Sequence, residues 1–196
     1  MTQIHFWFDP SCPYTWRTSR WVTDVARRRG LDVLWRVMSL AILNEDDEVP
    51  PRRRNQTAPG QVATRVLQAV RERHGNEALG RFYTELGTLV HERGAELGVD
   101  AYQRALRAAG LPEELATAGD DETYQAAVAR SHREGQDRVG DESGSPITAV
   151  DDGPGFFGPI VVPAPTGEQA TRLLDGLVAL SGIPSFSELK RARQPL

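Results

Sequence analysis

The order of apolar patterns along this 196-residue chain predicts an α/β fold that a helical block interrupts. A strand–helix–strand pattern comes first, about 75 residues of helical periodicity follow, and a strand–strand–helix pattern comes last. Without the central block, the outer patterns form a small mixed sheet with helices on both faces. We therefore expect one sheet-based domain from residues 1–58 and 139–196, with an all-helical domain inserted over residues 59–138.

The first pattern contains two short apolar runs with a helix between them. Residues 3–8 are mostly aromatic and apolar, which is typical of a buried strand, and residues 31–38 predict a second strand. A helix is predicted over residues 13–29, since Gly30 provides the left-handed residue that commonly follows a helix. Residues 44–60 are charged and rich in proline, so we interpret them as a loop or a domain boundary.

The central block has the spacing of amphipathic helices. Its apolar side chains recur at three- and four-residue intervals, which places them on single helical faces. The faces contain Val62, Val66, Ala69 and Val70, then Leu79, Phe82, Tyr83, Leu86, Leu89 and Val90, and then Val99, Tyr102, Ala105, Leu106 and Ala109. Gly110 and Pro112 end the third helix, and Asp121 is placed to cap a further helix that runs toward Arg138.

The last pattern returns to strands after a glycine-containing loop at residues 140–144. Pro146 leads into an apolar run at residues 147–150, and a second apolar run covers residues 156–162. An Asp-Gly turn at residues 151–154 joins the two runs, so a hairpin is the simplest interpretation.

Two helices are predicted after the hairpin. Thr166-Gly167-Glu168-Gln169 fits a capping box, and it opens a helix that Gly182 and Pro184 end. The inner face of that helix is expected to contain Ala170, Leu173, Leu174, Leu177 and Val178. Residues 185–193 predict a last short helix that ends in basic residues.

The composition excludes several classes of function. Hydrophobic residues make up 39% of the chain and charged residues 26%, which is typical of a folded globular protein. The net charge of −4 gives no electrostatic basis for nucleic-acid binding, and we interpret Arg52-Arg53-Arg54 as part of a solvated loop. No window approaches about 18 uninterrupted apolar residues, and no signal-peptide pattern opens the chain. We therefore expect a cytoplasmic protein that does not bind membranes.

The single cysteine, Cys12, lies at the junction between the first strand and the first helix. One cysteine excludes an intrachain disulfide and a cysteine-rich zinc site, and the four histidines lack metal-binding spacing. Pro13 suits the first helical position, which places Cys12 at or beside the N-cap. Free amides and the helix dipole favour a thiolate there, so we expect a lowered pKa for Cys12. The alternative is an inert, buried cysteine.

Two motifs carry a resemblance to the DsbA-like family of thioredoxin-fold proteins. Cys12-Pro13-Tyr14-Thr15 stands in the place of the family's Cys-x-x-Cys, and Gly144-Ser145-Pro146-Ile147 stands in the place of its cis-proline loop. The resemblance implies a thioredoxin fold with an inserted all-helical domain. It also implies that the bond between Ser145 and Pro146 is cis and faces the cysteine, and that the backbone of Ser145 binds an extended thiol or peptide.

A more specific similarity is to the actinobacterial mycothiol-dependent nitroreductases. The matching segments are Phe6–Pro10, Thr18–Trp21, Phe156–Pro159 and Pro163–Gly167. The resemblance implies mycothiol, or another small thiol, as a cosubstrate, with no tightly bound cofactor. The chain more distantly resembles kappa-class glutathione transferases and 2-hydroxychromene-2-carboxylate isomerases, which carry a serine-type motif at the same junction.

The chain departs from the nitroreductase pattern at Thr15, where those proteins generally carry a second cysteine. A dithiol cycle therefore cannot run within one molecule, and Cys12 would form a mixed disulfide that an outside thiol resolves. The Thr15 hydroxyl would donate a hydrogen bond to the sulfur, or Thr15 is a neutral replacement of a lost cysteine. The predicted site comprises Cys12 and Thr15 as catalytic residues and Pro13, Tyr14, Ser145 and Pro146 as thiol-binding residues, with no metal.

Three functions are compatible with these residues. The first is a thiol-dependent oxidoreductase in which Cys12 attacks a mixed disulfide or a reducible small molecule. The second is a kappa-like thiol transferase or isomerase, in which Cys12 or Thr15 only hydrogen-bonds the thiol of the cofactor. The third is a non-catalytic binding protein on the same scaffold. We expect Trp16, Tyr83 and Tyr102 in the core, with the wall of a substrate cleft as the alternative. The sequence leaves open whether the protein forms a homodimer.

Overall fold

A four-stranded sheet in the order β2-β1-β3-β4 lies at the centre of the fold. β1 (Gln3–Phe8) pairs in parallel with β2 (Asp32–Val37). It pairs antiparallel with β3 (Ile147–Val150), which in turn pairs antiparallel with β4 (Gly155–Phe157). The predicted mixed sheet and the predicted hairpin are therefore both confirmed.

The computed structural model describes residues 2–45, 51–140, 143–193 and 195, with only the backbone described for residues 51–58. The helices are α1 (Pro13–Arg29), α2 (Leu40–Leu43), α3 (Pro51–Gly87), α4 (Val99–Ala108), α5 (Gln125–Gln136) and α6 (Gly167–Ser181). A π-helical turn (Thr88–Glu92) follows α3, and two 3₁₀ segments (Glu113–Asp120 and Glu122–Tyr124) lie between α4 and α5. None of the helices among these residues has the length and apolar character needed to cross a membrane.

The helix α1 begins and ends where the sequence predicts. Cys12 is its N-cap, with extended φ and ψ of −85° and 113°, and Pro13 follows in the first turn. Gly30 adopts the left-handed conformation at a φ of 63°, and its N–H donates to the carbonyl of Ala26. A side chain other than glycine would be strained there, so Gly30 sets the end of the helix.

The start of α3 corrects the loop that the sequence predicts over residues 44–60. The helix begins at Pro51, so the second half of that segment is helical. Proline is tolerated in the first turn of a helix, and arginine, glutamine and alanine have high helix propensities, which outweigh the charge of the segment. The predicted solvated position of the Arg52-Arg53-Arg54 side chains lies outside the described residues.

A break inside α3 covers the open edge of the sheet. Gly75 has a non-helical φ of 84° and ψ of −180°, which divides α3 into two helical parts. The next residue, Asn76, accepts from the Trp35 N–H at 2.8 Å and donates to the Val33 carbonyl at 2.7 Å. The Asn76 amide therefore replaces a neighbouring strand along β2, whose edge would otherwise leave backbone groups unpaired.

The aromatic residues of the helical block and of α1 form the core beside the sheet. Trp16 and Tyr83 are 0% exposed and Tyr102 is 1% exposed, so the structure confirms the core position for all three, and none of them lines a cleft. The ring of Tyr83 stacks on Phe8 with centroids 3.9 Å apart, and Trp16 meets Tyr83 edge-on at 5.8 Å. Sheet, α1 and α3 are thus joined by direct aromatic contacts.

Four expectations for the C-terminal part are wrong. β4 ends at Phe157 instead of residue 162, because Pro159 has no N–H to donate and Gly158 turns the chain at a φ of 100°. Thr166 is the N-cap of α6, but its side chain makes no capping hydrogen bond, and Val178 on the predicted inner face is 44% exposed. The expected helix over residues 185–193 is absent, since that segment has too little apolar surface to pack.

Candidate active site

Cys12 lies in the short loop between β1 and α1, at the edge of the sheet where the strand ends. Its N–H donates to the carbonyl of Asp9 at 3.2 Å, and its own carbonyl accepts from the Trp16 N–H at 3.0 Å. These bonds close the turn and begin the helix, so the position of the sulfur is set by backbone geometry. The Cys12 side chain is partly exposed, and it is a free thiol.

The loop before β3 faces Cys12 across the site. The peptide bond between Ser145 and Pro146 is cis, as the resemblance implies. The Cys12 Sγ lies 3.7 Å from the carbonyl oxygen of Ser145, which accepts from the thiol. Pro146 is buried, and its carbonyl accepts from the Gly158 N–H at 2.8 Å, which holds the loop against the end of β4. Both predicted motifs therefore meet at one point.

A chain of hydroxyl groups joins the two motifs beneath the sulfur. The Ser145 Oγ accepts from the Asp9 N–H at 2.9 Å and lies 2.8 Å from the Thr15 Oγ1. The Thr15 hydroxyl also favours the Cys12 thiolate and so lowers the pKa of Cys12. Because Thr15 has a single proton to donate, the Ser145 hydroxyl donates to Thr15 when Thr15 donates to sulfur. Thr15 and Ser145 are both fully or nearly fully buried.

The net direction of the Cys12 pKa corrects the expectation of a low-pKa cysteine. Burial is the largest effect and raises the pKa of Cys12 above its ordinary value, and the negative charge of Asp9 adds to the rise. The Thr15 hydroxyl and the backbone amides of Thr15 and Tyr14 lower this pKa and only partly offset the rise. The helix N-terminus is present as predicted, but the loss of solvation outweighs it.

Asp9 is a functional candidate that the sequence prediction missed. Its carboxylate is 0% exposed and accepts from the Ser11 N–H at 2.7 Å, the Ser11 hydroxyl at 2.5 Å and the Leu40 N–H at 2.7 Å. Burial raises the pKa of Asp9, although these three donors oppose the rise. Gly60 on α3 passes so close that a Cβ there would lie 3.1 Å from the Asp9 Oδ1. Asp9 therefore connects the Cys12 loop, α2 and α3.

The other predicted residues lie at the surface of the site. Pro13 is exposed on the first turn of α1, and Tyr14 is half-buried beside it. The guanidinium carbon of Arg193 lies 5.2 Å from the Tyr14 ring centroid and 5.8 Å from that of Phe157. Arg193 therefore contacts Tyr14, which lies two residues after Cys12 in the first turn of α1.

The π-helical turn contributes one more residue to the Cys12 loop. The Nε2 of His91 lies 2.8 Å from the carbonyl oxygen of Pro10, and the imidazole stacks on Trp16 with centroids 6.0 Å apart. Burial lowers the pKa of His91, so its neutral form with a proton on Nε2 donates to Pro10. The helical block therefore supports the loop before Cys12 directly.

A separate cavity of about 250 Å³ lies on the helical block and does not include Cys12. Two of the arginines that line it are already paired, Arg104 with Asp100 at 3.2 Å and Arg107 with Glu113 at 2.7 Å. Among the described residues, no group of three or more histidine, cysteine, aspartate or glutamate side chains could hold a metal ion.

Comparison with known proteins identifies the family. A family model described as Rv2466c-like, mycothiol-dependent nitroreductase Rv2466c, matches residues 11–191. The chain belongs to this family. Its members are thiol-dependent redox enzymes, so the chain is an oxidoreductase of this general class. The uncharacterised protein Rv2286c of Mycobacterium tuberculosis is 30% identical over 198 residues, which covers 100% of this chain and 84% of Rv2286c.

Solved structures show that the fold is the DsbA-like thioredoxin fold. The cytosolic disulfide reductase DsbM from Pseudomonas aeruginosa has a TM-score of 0.62 at 17% identity, covering 91% of this chain and 99% of DsbM. DsbA of Chlamydia trachomatis has a TM-score of 0.59 at 14% identity, covering 93% and 89% of the two chains. A 2-hydroxychromene-2-carboxylate isomerase has a TM-score of 0.64 at 11% identity, covering 90% and 94%. The predicted fold class and family resemblance are confirmed.

Three residues of the site carried no functional prediction. Asp9 carried a signal, because an acid that directly follows a buried strand must find partners inside the protein. His91 and Arg193 carried none, since their contacts with Pro10 and Tyr14 join segments about 80 and 180 residues apart, and sequence periodicity describes only local structure.

Proposed function

We propose that this protein is a mycothiol-dependent reductase that works through one cysteine, Cys12. The observation that supports this most directly is the position of the Cys12 sulfur, partly exposed and 3.7 Å from the Ser145 carbonyl of the cis-proline loop. That loop offers backbone groups to the chain of a thiol or disulfide that approaches the sulfur. The family supports mycothiol as the small thiol, and we place the reaction in the cytoplasm.

The proposed reaction consists of two thiol–disulfide exchanges. The Cys12 thiolate attacks the mycothiol sulfur of a mixed disulfide, a bond forms between Cys12 and mycothiol, and the other thiol leaves and takes a proton. A second mycothiol, as its thiolate, then attacks the mycothiol sulfur of this adduct. Cys12 leaves as the thiolate, and oxidised mycothiol disulfide is released. Overall, the mixed disulfide and one molecule of mycothiol are converted into the free substrate thiol and mycothiol disulfide. The substrate sulfur is reduced, and the two mycothiol sulfurs end as one disulfide.

The raised pKa of Cys12 is compatible with this scheme and sets its pH dependence. Only the thiolate attacks, so a raised pKa lowers the reactive fraction at neutral pH. Each thiolate formed is a better nucleophile, because nucleophilicity rises with pKa. The Thr15 and Ser145 hydroxyls supply the hydrogen bond that stabilises Cys12 sulfur both before attack and as the leaving group. We therefore assign Thr15 a role in the exchange.

A second function is favoured by the same pKa. A Cys12 thiol that stays protonated and donates to the Ser145 carbonyl could instead hydrogen-bond the thiolate of mycothiol, as in a kappa-like transferase or isomerase. In that case mycothiol itself attacks the substrate, and Cys12 forms no covalent bond. The two functions differ in whether an adduct forms on Cys12.

Replacing Cys12 by serine separates the two functions. The substitution keeps a hydrogen-bond donor of similar size but removes the nucleophilic sulfur. We expect mycothiol-dependent reduction of a mixed disulfide to fall at least about a hundredfold, as it does when a covalent nucleophile is lost. With the mixed disulfide present and no free mycothiol to resolve the adduct, we also expect intact-protein mass spectrometry to find mycothiol bound to the wild-type chain and none on the variant.

Retained turnover in Cys12→Ser, above about a tenth of wild type, would favour the transferase and contradict the covalent route. Thermal unfolding of the variant is the control, because a folded variant with no activity is needed to assign the loss to chemistry. The absence of an adduct on wild-type Cys12, when the mixed disulfide is present without free mycothiol, would also count against the proposal.

A further inference from the structure

The segment that follows α6 contacts the edge strand β4 and the first turn of α1, next to Cys12. Residues 182–193 contain no regular secondary structure, and most of their side chains are exposed. Phe186 is half-buried and packs on Phe156 of β4, with ring centroids 5.9 Å apart. This contact attaches the segment to the edge of the sheet, so that its end can reach the mouth of the Cys12 site. We call residues 182–193 the C-terminal segment.

Arg193 of the C-terminal segment contacts both walls of that mouth. One wall is the start of α1, where the Tyr14 ring lies 5.2 Å from the guanidinium carbon. The other is the cis-proline hairpin, where Phe157 lies 5.8 Å from the same carbon and pairs in register with Ile147, the residue after Pro146. The guanidinium therefore lies between the first turn of α1 and the strand that pairs with the end of the cis-proline loop.

The way in which Arg193 is held leaves its hydrogen-bond donors available. Cation–π contacts use the flat face of the guanidinium, whereas its five N–H donors point outward in its plane. The ion pairs found among the described residues do not include Arg193. Phe157 beside it is 41% exposed and offers apolar surface at the same place. A planar fork of donors next to an exposed ring suits an aromatic ligand with a carboxylate.

We propose that Arg193 is a specificity-determining residue that binds the anionic group of aromatic substrates whose reactive sulfur reaches Cys12. The inference rests on the proposed function for the identity of the reacting residue, and it adds the substrate class. A carboxylate or sulfonate would pair with the edge of the guanidinium, and the aromatic ring would lie against Phe157 and Tyr14. Neutral substrates of the same size would lack that pairing and react more slowly.

Two aromatic disulfides, one anionic and one neutral, test this proposal in a single turnover without mycothiol. Dithiobis(nitrobenzoate) carries a carboxylate on each ring, whereas dithiodipyridine is neutral. Each reacts in the same way, since the Cys12 thiolate bonds to one sulfur and one aromatic thiolate is released and absorbs light. Because Cys12 is the only cysteine, the absorbance reports this site alone. Stopped-flow rates are compared for wild type, Arg193→Ala and Arg191→Ala, the last as an exposed arginine without these ring contacts.

We expect Arg193→Ala to slow the reaction with dithiobis(nitrobenzoate) by about tenfold and to change the dithiodipyridine rate by less than about twofold. Arg191→Ala should change neither rate by more than about twofold. Equal changes for both reagents would show a steric effect and overturn the proposal, and so would equal effects of the two arginine substitutions. A wild-type Cys12 that reacts with neither reagent also contradicts it. These rates do not depend on mycothiol turnover, so a failure of the proposed function would be recognised separately.

Discussion

At Cys12, two opposing effects act on one proton. The sulfur lies at the N-cap of α1, where the amides of Tyr14 and Thr15 point toward it and favour the anion. Burial and the buried Asp9 carboxylate disfavour the anion, and together they are stronger, so the pKa of Cys12 is raised. The reactivity of Cys12 should therefore continue to rise at pH values where an ordinary thiol is already ionised. Among the groups around the sulfur, the Thr15 hydroxyl stabilises the thiolate most.

Replacing Thr15 by valine tests that support. Valine has the same shape but no hydroxyl, so the pKa of Cys12 should rise further because the anion loses a hydrogen bond. At neutral pH the iodoacetamide alkylation rate should fall about fivefold, the effect of losing a hydrogen bond of about 1 kcal/mol. The measurement is the alkylation rate against pH, whose midpoint should move upward in the variant.

Thr23→Val is the matched control for this experiment. Thr23 lies on the same helix, is exposed, and donates to the Ser19 carbonyl far from the sulfur. Its replacement should leave the midpoint and the rate unchanged. A Thr15→Val midpoint equal to that of wild type would show that Thr15 is a neutral replacement of a lost cysteine, the alternative that the sequence left open.

Among the elements, α3 packs closely against the sheet and α1 because two of its glycines face tryptophan rings. A Cβ on Gly87 would overlap the ring of Trp16, and one on Gly80 would lie 2.5 Å from the Trp35 Nε1. Both tryptophans are almost fully buried, so moving either ring would disturb the packed core around it. The absence of a side chain at these positions lets the helical block approach closely enough to place His91 on the Cys12 loop.

We expect Gly87→Ala to destabilise the protein although alanine favours helices. The added methyl group must displace Trp16 from a packed core, which costs about 1–3 kcal/mol of unfolding free energy, or more. Gly176→Ala is the matched control, because a Cβ on this exposed α6 residue would meet nothing within 4 Å. That change should stabilise the protein by about 0.5–1 kcal/mol. Urea denaturation measures both, and a Gly87→Ala variant as stable as wild type would contradict the close packing.

At the scale of the whole molecule, local sequence patterns predicted much of the fold, but they could not predict contacts between residues that are distant in the sequence. The bounds of α1 followed from Pro13 and Gly30, because both residues act on their own backbone. The start of α3 at Pro51 was missed because the charge and proline of the segment suggest a loop, whereas the helix propensity of its arginine, glutamine and alanine residues favours a helix. The resemblance to the DsbA-like family, and no local pattern, implied that the two site motifs meet. The direction of the Cys12 pKa depends on burial, which a sequence does not contain.

Three histidines, of which His5 and His132 are buried and His91 is half-buried, give the molecule a common response to acid. Burial lowers the pKa of His5, His91 and His132 below the ordinary value. The unfolded chain therefore binds more protons than the folded one as the pH falls through about 6.5, so stability should decrease there. Asp9 acts in the opposite direction at lower pH, because its raised pKa makes the folded state bind its proton first, and acidification then favours folding through Asp9.

His132 allows this linkage to be tested at one residue. Its Nδ1 accepts from the Ser39 N–H at 3.4 Å, so a proton on Nδ1 would break the contact. Asparagine at this position keeps an acceptor near the same place and does not titrate. Between pH 7 and 5 the unfolding free energy of wild type should fall by up to about 1.4 kcal/mol per pH unit for each histidine, and His132→Asn should remove one such contribution. Equal slopes for wild type and His132→Asn would refute the assignment to His132.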